Sequence, residues 1–194
     1  MCRSFWLVAL LLTPVPSQAQ PTAPPAETAT KEQIDNAELR QLFSADQAAR
    51  QGAVKDWAEV SKADATRRAR VRELLDGGAI RTARDFRSAA FIFQHGSEPE
   101  DFLLAHALAM RSLGLGMKES EWIAAATLDR YLQAIARDQI YGTQYQRRAG
   151  APATQGRYDP ELLTDQLRIG ARVETLEEQQ EKLKTMNALP TDPK

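Results

Sequence analysis

The sequence predicts a single compact all-α domain of five to six helices, preceded by a signal peptide and a disordered tether. Three observations predict it. Apolar residues recur at helical spacing through most of the chain, no stretch sustains the period-two alternation of a strand, and glycines, prolines and capping boxes fall where those segments should start and stop.

The first helix is expected from about Asp35 to Arg50, with Leu39, Leu42 and Phe43 on one face. The second runs from about Val54 to Leu75 and stops at Gly77-Gly78, where glycine ends a helix without steric cost. Thr82-Ala83-Arg84-Asp85 reads as a capping box, in which the hydroxyl accepts an orphan backbone N–H and the carboxylate reaches back, so a third helix should run to about His95. Gly96 closes it. Ser97-Glu98-Pro99-Glu100 reads as a second box with proline in the first turn, starting a fourth helix that ends near Leu113, before Gly114 and Gly116. A fifth should span about Glu119 to Arg137, after which Gly142, Gly150, Pro152, Gly156 and Pro160 mark an irregular region. The charged tail carries only Leu176, Leu183 and Met186 as an apolar stripe, which predicts a peripheral helix or a frayed end.

The first residues have the three-part order of a secretory signal: basic Arg3, an apolar run from Phe5 to Val15, and Ser17-Gln18-Ala19 as a cleavage site. The run is about half of the roughly 20 residues needed to cross a bilayer, and Pro14 and Pro16 interrupt its end, so cleavage after Ala19 is expected and no stable membrane anchor. The domain boundaries follow: signal peptide 1–19, a Pro/Ala/Thr-rich tether 20–33, a helical domain 34–173 and a charged tail 174–194. The chain is expected in the periplasm or outside the cell. Cys2, the one cysteine, precedes the apolar run rather than ending it, which argues against lipidation, and it leaves with the signal. The mature chain can then form no disulfide in a compartment that would permit one, so packing alone must hold it.

Charge excludes one class of partner. Losing Arg3 takes the 25 basic residues to 24 against 26 acidic ones, and nothing in that balance attracts nucleic acid. The run Arg67, Arg68, Arg70, Arg72 reads as the solvated face of a helix. Two histidines without an HExxH pattern, and no mature cysteine, leave too few ligands for a zinc site, and no metal or cofactor is expected. The glycine-rich phosphate loop and the GxSxG elbow are also absent.

Polar residues in apolar surroundings are the candidates for function. The fourth and fifth helices are apolar almost all round, which places them in the middle of the domain. At 100° per residue, His106 falls among Phe102, Leu103, Ala109, Met110 and Leu113, and Asp129 among Trp122, Ala125, Ala126, Leu132 and Ala136. Arg130 projects between Ile123, Ala126 and Ala134. Asp46 repeats the pattern beside Leu39, Leu42, Phe43 and Ala49, with Arg50 one turn on. A buried carboxylate without a partner costs several kcal/mol or takes up a proton. Partners are therefore sought among His95, His106, Arg50, Arg130 and the amides Gln94, Gln139 and Gln144.

Two readings stay open. In one, the polar network fixes helix register and His106 is a satisfied core histidine. In the other, His95, His106, Asp129, Arg130 and Gln144 line a pocket in which histidine or carboxylate moves protons and arginine holds an anion.

The same residues carry a resemblance. Thr82–Phe86, Ala89-Ala90-Phe91-Ile92-Phe93-Gln94-His95-Gly96, Leu104-Ala105-His106, Trp122 with Ala124–Leu132, and Gln139–Gln144 together resemble an uncharacterised family of bacterial domains of unknown function, and the match extends more weakly to Asp46–Arg50. The resemblance implies no reaction, substrate or cofactor. It implies that Gln94, His95, His106, Asp129, Arg130, Thr143 and Gln144 are characteristic positions. The expected function is binding or acting on a small polar or anionic ligand, with His95, His106 and Asp129 as catalytic candidates. Gln94, Arg130, Thr143, Gln144, Asp46 and Arg50 are the ligand-binding candidates. The alternative is a non-enzymatic scaffold that binds a protein, with residues 174–186 as its working surface.

Overall fold

A computed structural model describes residues 34–51, 56–148 and 150–188. The signal peptide and tether expected over residues 1–33 lie outside these. Asn36 begins helix α1, Ala37–Ala48, by accepting the Leu39 N–H on its side chain, and Asp56 begins α2, Trp57–Asp76, by accepting those of Ala58 and Glu59. The capping box at Thr82 forms: its hydroxyl accepts from Asp85 N, the Asp85 carboxylate from Thr82 N, and α3 runs over Ala83–Phe93.

The second expected box does not form. Glu98 is the N-cap of α4, Pro99–Gly114, without a side-chain cap, and Pro99 fills the first turn. Asp101 instead reaches back to accept the Ser97 N–H at 3.3 Å. The same Asp101 packs against Gly96 so closely that a Cβ there would lie 2.2 Å from its Cβ, so the chain needs glycine at this exit from α3. After a 3-10 turn, Lys118–Ser120, comes α5, Glu121–Ala134.

All-α is the architecture, with seven α-helices among the described residues against the five or six expected. α4 packs between α3 and α5, and α1 and α2 cover α3. The core holds Leu39, Val71, Leu74, Ile92, Phe93, Leu108 and Ile123, drawn from α1 to α5. α1 and α3 point the same way: Asn36 N donates to Asp85 at one end, and His95 meets Asp46 at the other.

The remaining segment is ordered by polar contacts. Short α6, Asp165–Gly170, was unforeseen, and Arg168 within it is fully buried, donating to the carbonyls of Pro160 and Leu163 and paired with Asp165. On α7, Leu176–Ala188, the stripe of Leu176, Leu183 and Met186 is half-buried, and Gln179 on the same face is 1% exposed and donates to Tyr141 O and Glu174 O. No helix among the described residues is long and apolar enough to cross a membrane.

Candidate functional site

Contacts among the described residues do not bring all the candidates together. They fall into three places, each built by different elements.

The first is the end of the bundle where α1 and α3 finish. Asp46, fully buried, accepts from Arg50 Nη1 at 3.1 Å and Gln47 Nε2 at 2.8 Å, and lies 3.2 Å from His95 Nδ1. Arg50 also reaches Asp64 on α2 at 2.6 Å, and Arg67 pairs with Asp64 from the other side. Burial alone would raise the Asp64 carboxyl, but the Arg67 and Arg50 guanidinium groups outweigh it and hold the carboxyl below its ordinary value. Arg68 donates to His95 O at 2.7 Å and lies 3.6 Å from Asp101. The expectation that Arg67 to Arg72 form a solvated face therefore fails at Arg67 and Arg68, which turn inward, and holds for Arg70 and Arg72, which are exposed. Periodicity hid this because arginines spaced three and four residues from an aspartate read the same whether the face is wet or packed.

Arg130 belongs near this end yet takes no part in the pairing. It is half-buried, its Nε is sealed from solvent without a hydrogen-bond partner, and no carboxylate pairs with it among the described residues. Burial, with repulsion from nearby Arg50, makes its charge harder to carry and pushes its pKa down. Gln94, which caps α3, is 5% exposed, and among the described residues its side-chain amide makes no hydrogen bond.

The second place is a clamp. Asp129 is fully buried, and its partners are not the histidines or arginines sought for it. Oδ1 accepts the N–H groups of Ile140 (2.8 Å) and Tyr141 (3.0 Å); Oδ2 accepts the N–H (2.9 Å) and hydroxyl (2.7 Å) of Thr143. With every lone-pair direction engaged, the carboxylate has no room to take a proton from a substrate. Gln144 is similarly committed, donating to Thr143 Oγ1 and Ala126 O. Asp129, Thr143 and Gln144 hold the turn after α5, and among the described residues no hydrogen bond or ion pair joins them to His95 or Arg130. Gly142 lies inside that turn at φ +81, and a Cβ there would stand 2.2 Å from Gln179 Oε1.

The third place is a cleft of about 590 Å3 between α4, α5 and α6. His106 lines it. The imidazole is half-buried rather than sealed in the core, and its Nδ1 lies 2.9 Å from Ala124 O. A carbonyl oxygen can only accept, so Nδ1 carries the hydrogen, and in a neutral ring Nε2 is then left as the acceptor. Met110 and Leu113 continue the wall on α4, and Tyr141, carried by the Asp129 clamp, closes one side.

Residues missed by sequence reasoning were Asp64, Arg67, Arg168, Gln155 and Gln179. A buried amide or guanidinium leaves no periodic trace when its neighbours are exposed. Only Asp64 gave a usable signal, an acid three residues before Arg67 on a helix otherwise poor in apolar residues. Among the described residues no group of three or more His, Cys, Asp or Glu is placed to hold a metal ion, and the two aspartates at the charged end are engaged by arginine. Comparison with protein-family models, with curated proteins and with solved structures gives no match.

Proposed function

We propose that the chain is an exported domain that binds a small anionic molecule at Arg130, with Arg50 near it and with His95 and Gln94, at the end of α3, as further candidate groups. One observation carries the reading. Asp46, Asp64, Asp129, Arg67 and Arg168 are buried and each is paired or hydrogen-bonded, whereas Arg130 lies inward without an anion among the described residues. A guanidinium presents a planar fork of donors that matches a carboxylate or phosphate, and withdrawing it from water strengthens such a pair. The Gln94 amide adds donors of the same kind.

Binding is proposed rather than turnover because Asp129, the carboxylate among the catalytic candidates, already accepts four hydrogen bonds from one turn. The likeness of the Gln94-His95-Gly96 and Leu128-Asp129-Arg130 segments to bacterial domains of unknown function belongs to the same proposal, as does export, which rests on the signal-like first 19 residues.

Thermal melting with inorganic phosphate as probe tests the reading. The wild-type chain should gain stability saturably with phosphate, and Arg130→Gln should not. Without phosphate, Arg130→Gln should melt no lower than wild type, since it removes an uncompensated cation. Equal phosphate response in both, or a variant destabilised without phosphate, would show Arg130 to be a structural cation.

A further inference from the structure

The cleft at His106 has no role in anion binding at Arg130, and its chemistry differs. We propose that it is a second binding site, for a small uncharged molecule with an apolar body and a hydroxyl head that donates its hydrogen to His106 Nε2.

The volume, about 590 Å3, lies within the roughly 300–1,000 Å3 usual for small-molecule sites. Small residues make the walls concave: Ala124 and Ala125 of α5 are buried at its base, and Gly170 of α6 brings bare backbone to the opposite side. Met110 and Leu167 stand at the rim, 50% and 55% exposed, so apolar surface is left open to water there. A ligand with an apolar body would cover it.

The polar groups define the head. With Nδ1 committed to Ala124 O, His106 offers one acceptor at Nε2, and an acceptor calls for an O–H or N–H on the ligand. Charge argues against an ion. Glu121 is the charged side chain lining the cleft, and Arg172 already pairs with it at 3.0 Å. An ammonium or carboxylate entering would break that pair or stay uncompensated. The Tyr141 hydroxyl is kept protonated by burial and then by the Asp129 charge, so it also meets the ligand as a neutral group. Its backbone is fixed on both sides, the N–H by Asp129 at 3.0 Å and the carbonyl by Gln179 at 2.9 Å. The wall it forms is therefore preorganised, which lowers the ordering cost of binding. A neutral alcohol or phenol satisfies each of these conditions together.

The probes are p-cresol and toluene, which share an apolar ring and differ by the hydroxyl. Titrated into the full mature chain labelled with 15N at histidine, p-cresol should move the Nε2 resonance of His106 and leave that of His95 in place. Toluene should bind about fivefold more weakly, the effect of one hydrogen bond. His106→Phe should bind both probes equally. Met110→Glu, at an exposed position that does not threaten the fold, should weaken both at least tenfold by placing charge at the apolar rim. Equal binding of the two probes by wild type, no response of His106 up to the solubility limit of p-cresol, or unchanged binding in Met110→Glu would each overturn the assignment. Phosphate binding at Arg130 should persist in both variants, so the two sites fail or stand separately.

Discussion

Asp129 and Arg130 are neighbours on α5 with opposite electrostatic fates. The carboxylate is fully buried and accepts four hydrogen bonds from a single turn, while the guanidinium beside it finds no partner among the described residues. Substitution should separate them. Asn at 129 keeps the shape but turns one acceptor into a donor facing the N–H groups of the turn, so Asp129→Asn should cost about 2–4 kcal/mol, read as a lowered thermal midpoint. Arg130→Gln should cost nothing, and phosphate affinity per folded molecule should fall only in the second variant. An Asp129→Asn chain that melts like wild type yet loses a ligand would return Asp129 to the catalytic candidates. Sequence reasoning found Asp129 but looked for its partner among side chains, because those can be counted. The partners are main-chain N–H groups, which every residue but proline carries and no residue type announces. Asp85 uses the same device, accepting from the N–H groups of Asn36, Arg81 and Thr82.

At the scale of elements, α1 and α2 share the apolar core and are also joined by charge at the end of α1. Asp64 bridges Arg50, in the turn that follows α1, and Arg67 of its own helix, and its folded carboxyl lies below the ordinary value. The unfolded chain therefore binds a proton more readily there than the folded one. The stability this contributes is present above the unfolded value, near 4, and is lost as pH falls through the folded value. Acid melts should show wild type losing stability below about pH 4, and Asp64→Asn should be less stable at neutral pH with a flatter acid limb. Parallel acid limbs would remove Asp64 from the account. The helices meeting here were legible for simple reasons. Leu39 packs inward, Asn36 and Thr82 are good caps, and Gly77 ends α2. The inward turn of Arg67 was not legible, since besides Asp64 it faces Asp46, 3.7 Å away on another helix, which no spacing along α2 announces. His106 was legible as misplaced but not as accessible, because the wheel that surrounds it with Met110 and Leu113 describes a cleft wall as well as a core.

The whole molecule divides by the kind of contact that holds it. α1 to α5 share one apolar core, but beyond α5 the only buried apolar side chains among the described residues are those of Ala153 and Val173, and amides do the fastening. Gln139 donates to the carbonyls of Gln144 and Gln155; Gln155 donates to Gly142 O and to Gln179 Oε1; Gln179 donates to Tyr141 O and Glu174 O. The chain of amides ties α7 to the turn that Asp129 clamps, and so to the Tyr141 wall of the cleft. Hydrogen bonds of this kind contribute about 1 kcal/mol each, and unlike an apolar core they give little when one partner is missing. Gln179→Ala removes three at once and should cost about 2–4 kcal/mol, with the loss confined to the C-terminal part. Amide hydrogen exchange should show protection falling over residues 139–144 and 174–188, while α3 to α5 exchange as in wild type. Such a result would make the segment after α5 a separate, lower-stability unit that shapes the cleft without supporting the core. Uniform loss of protection through α3 to α5 would instead mean that core and amide chain unfold as one.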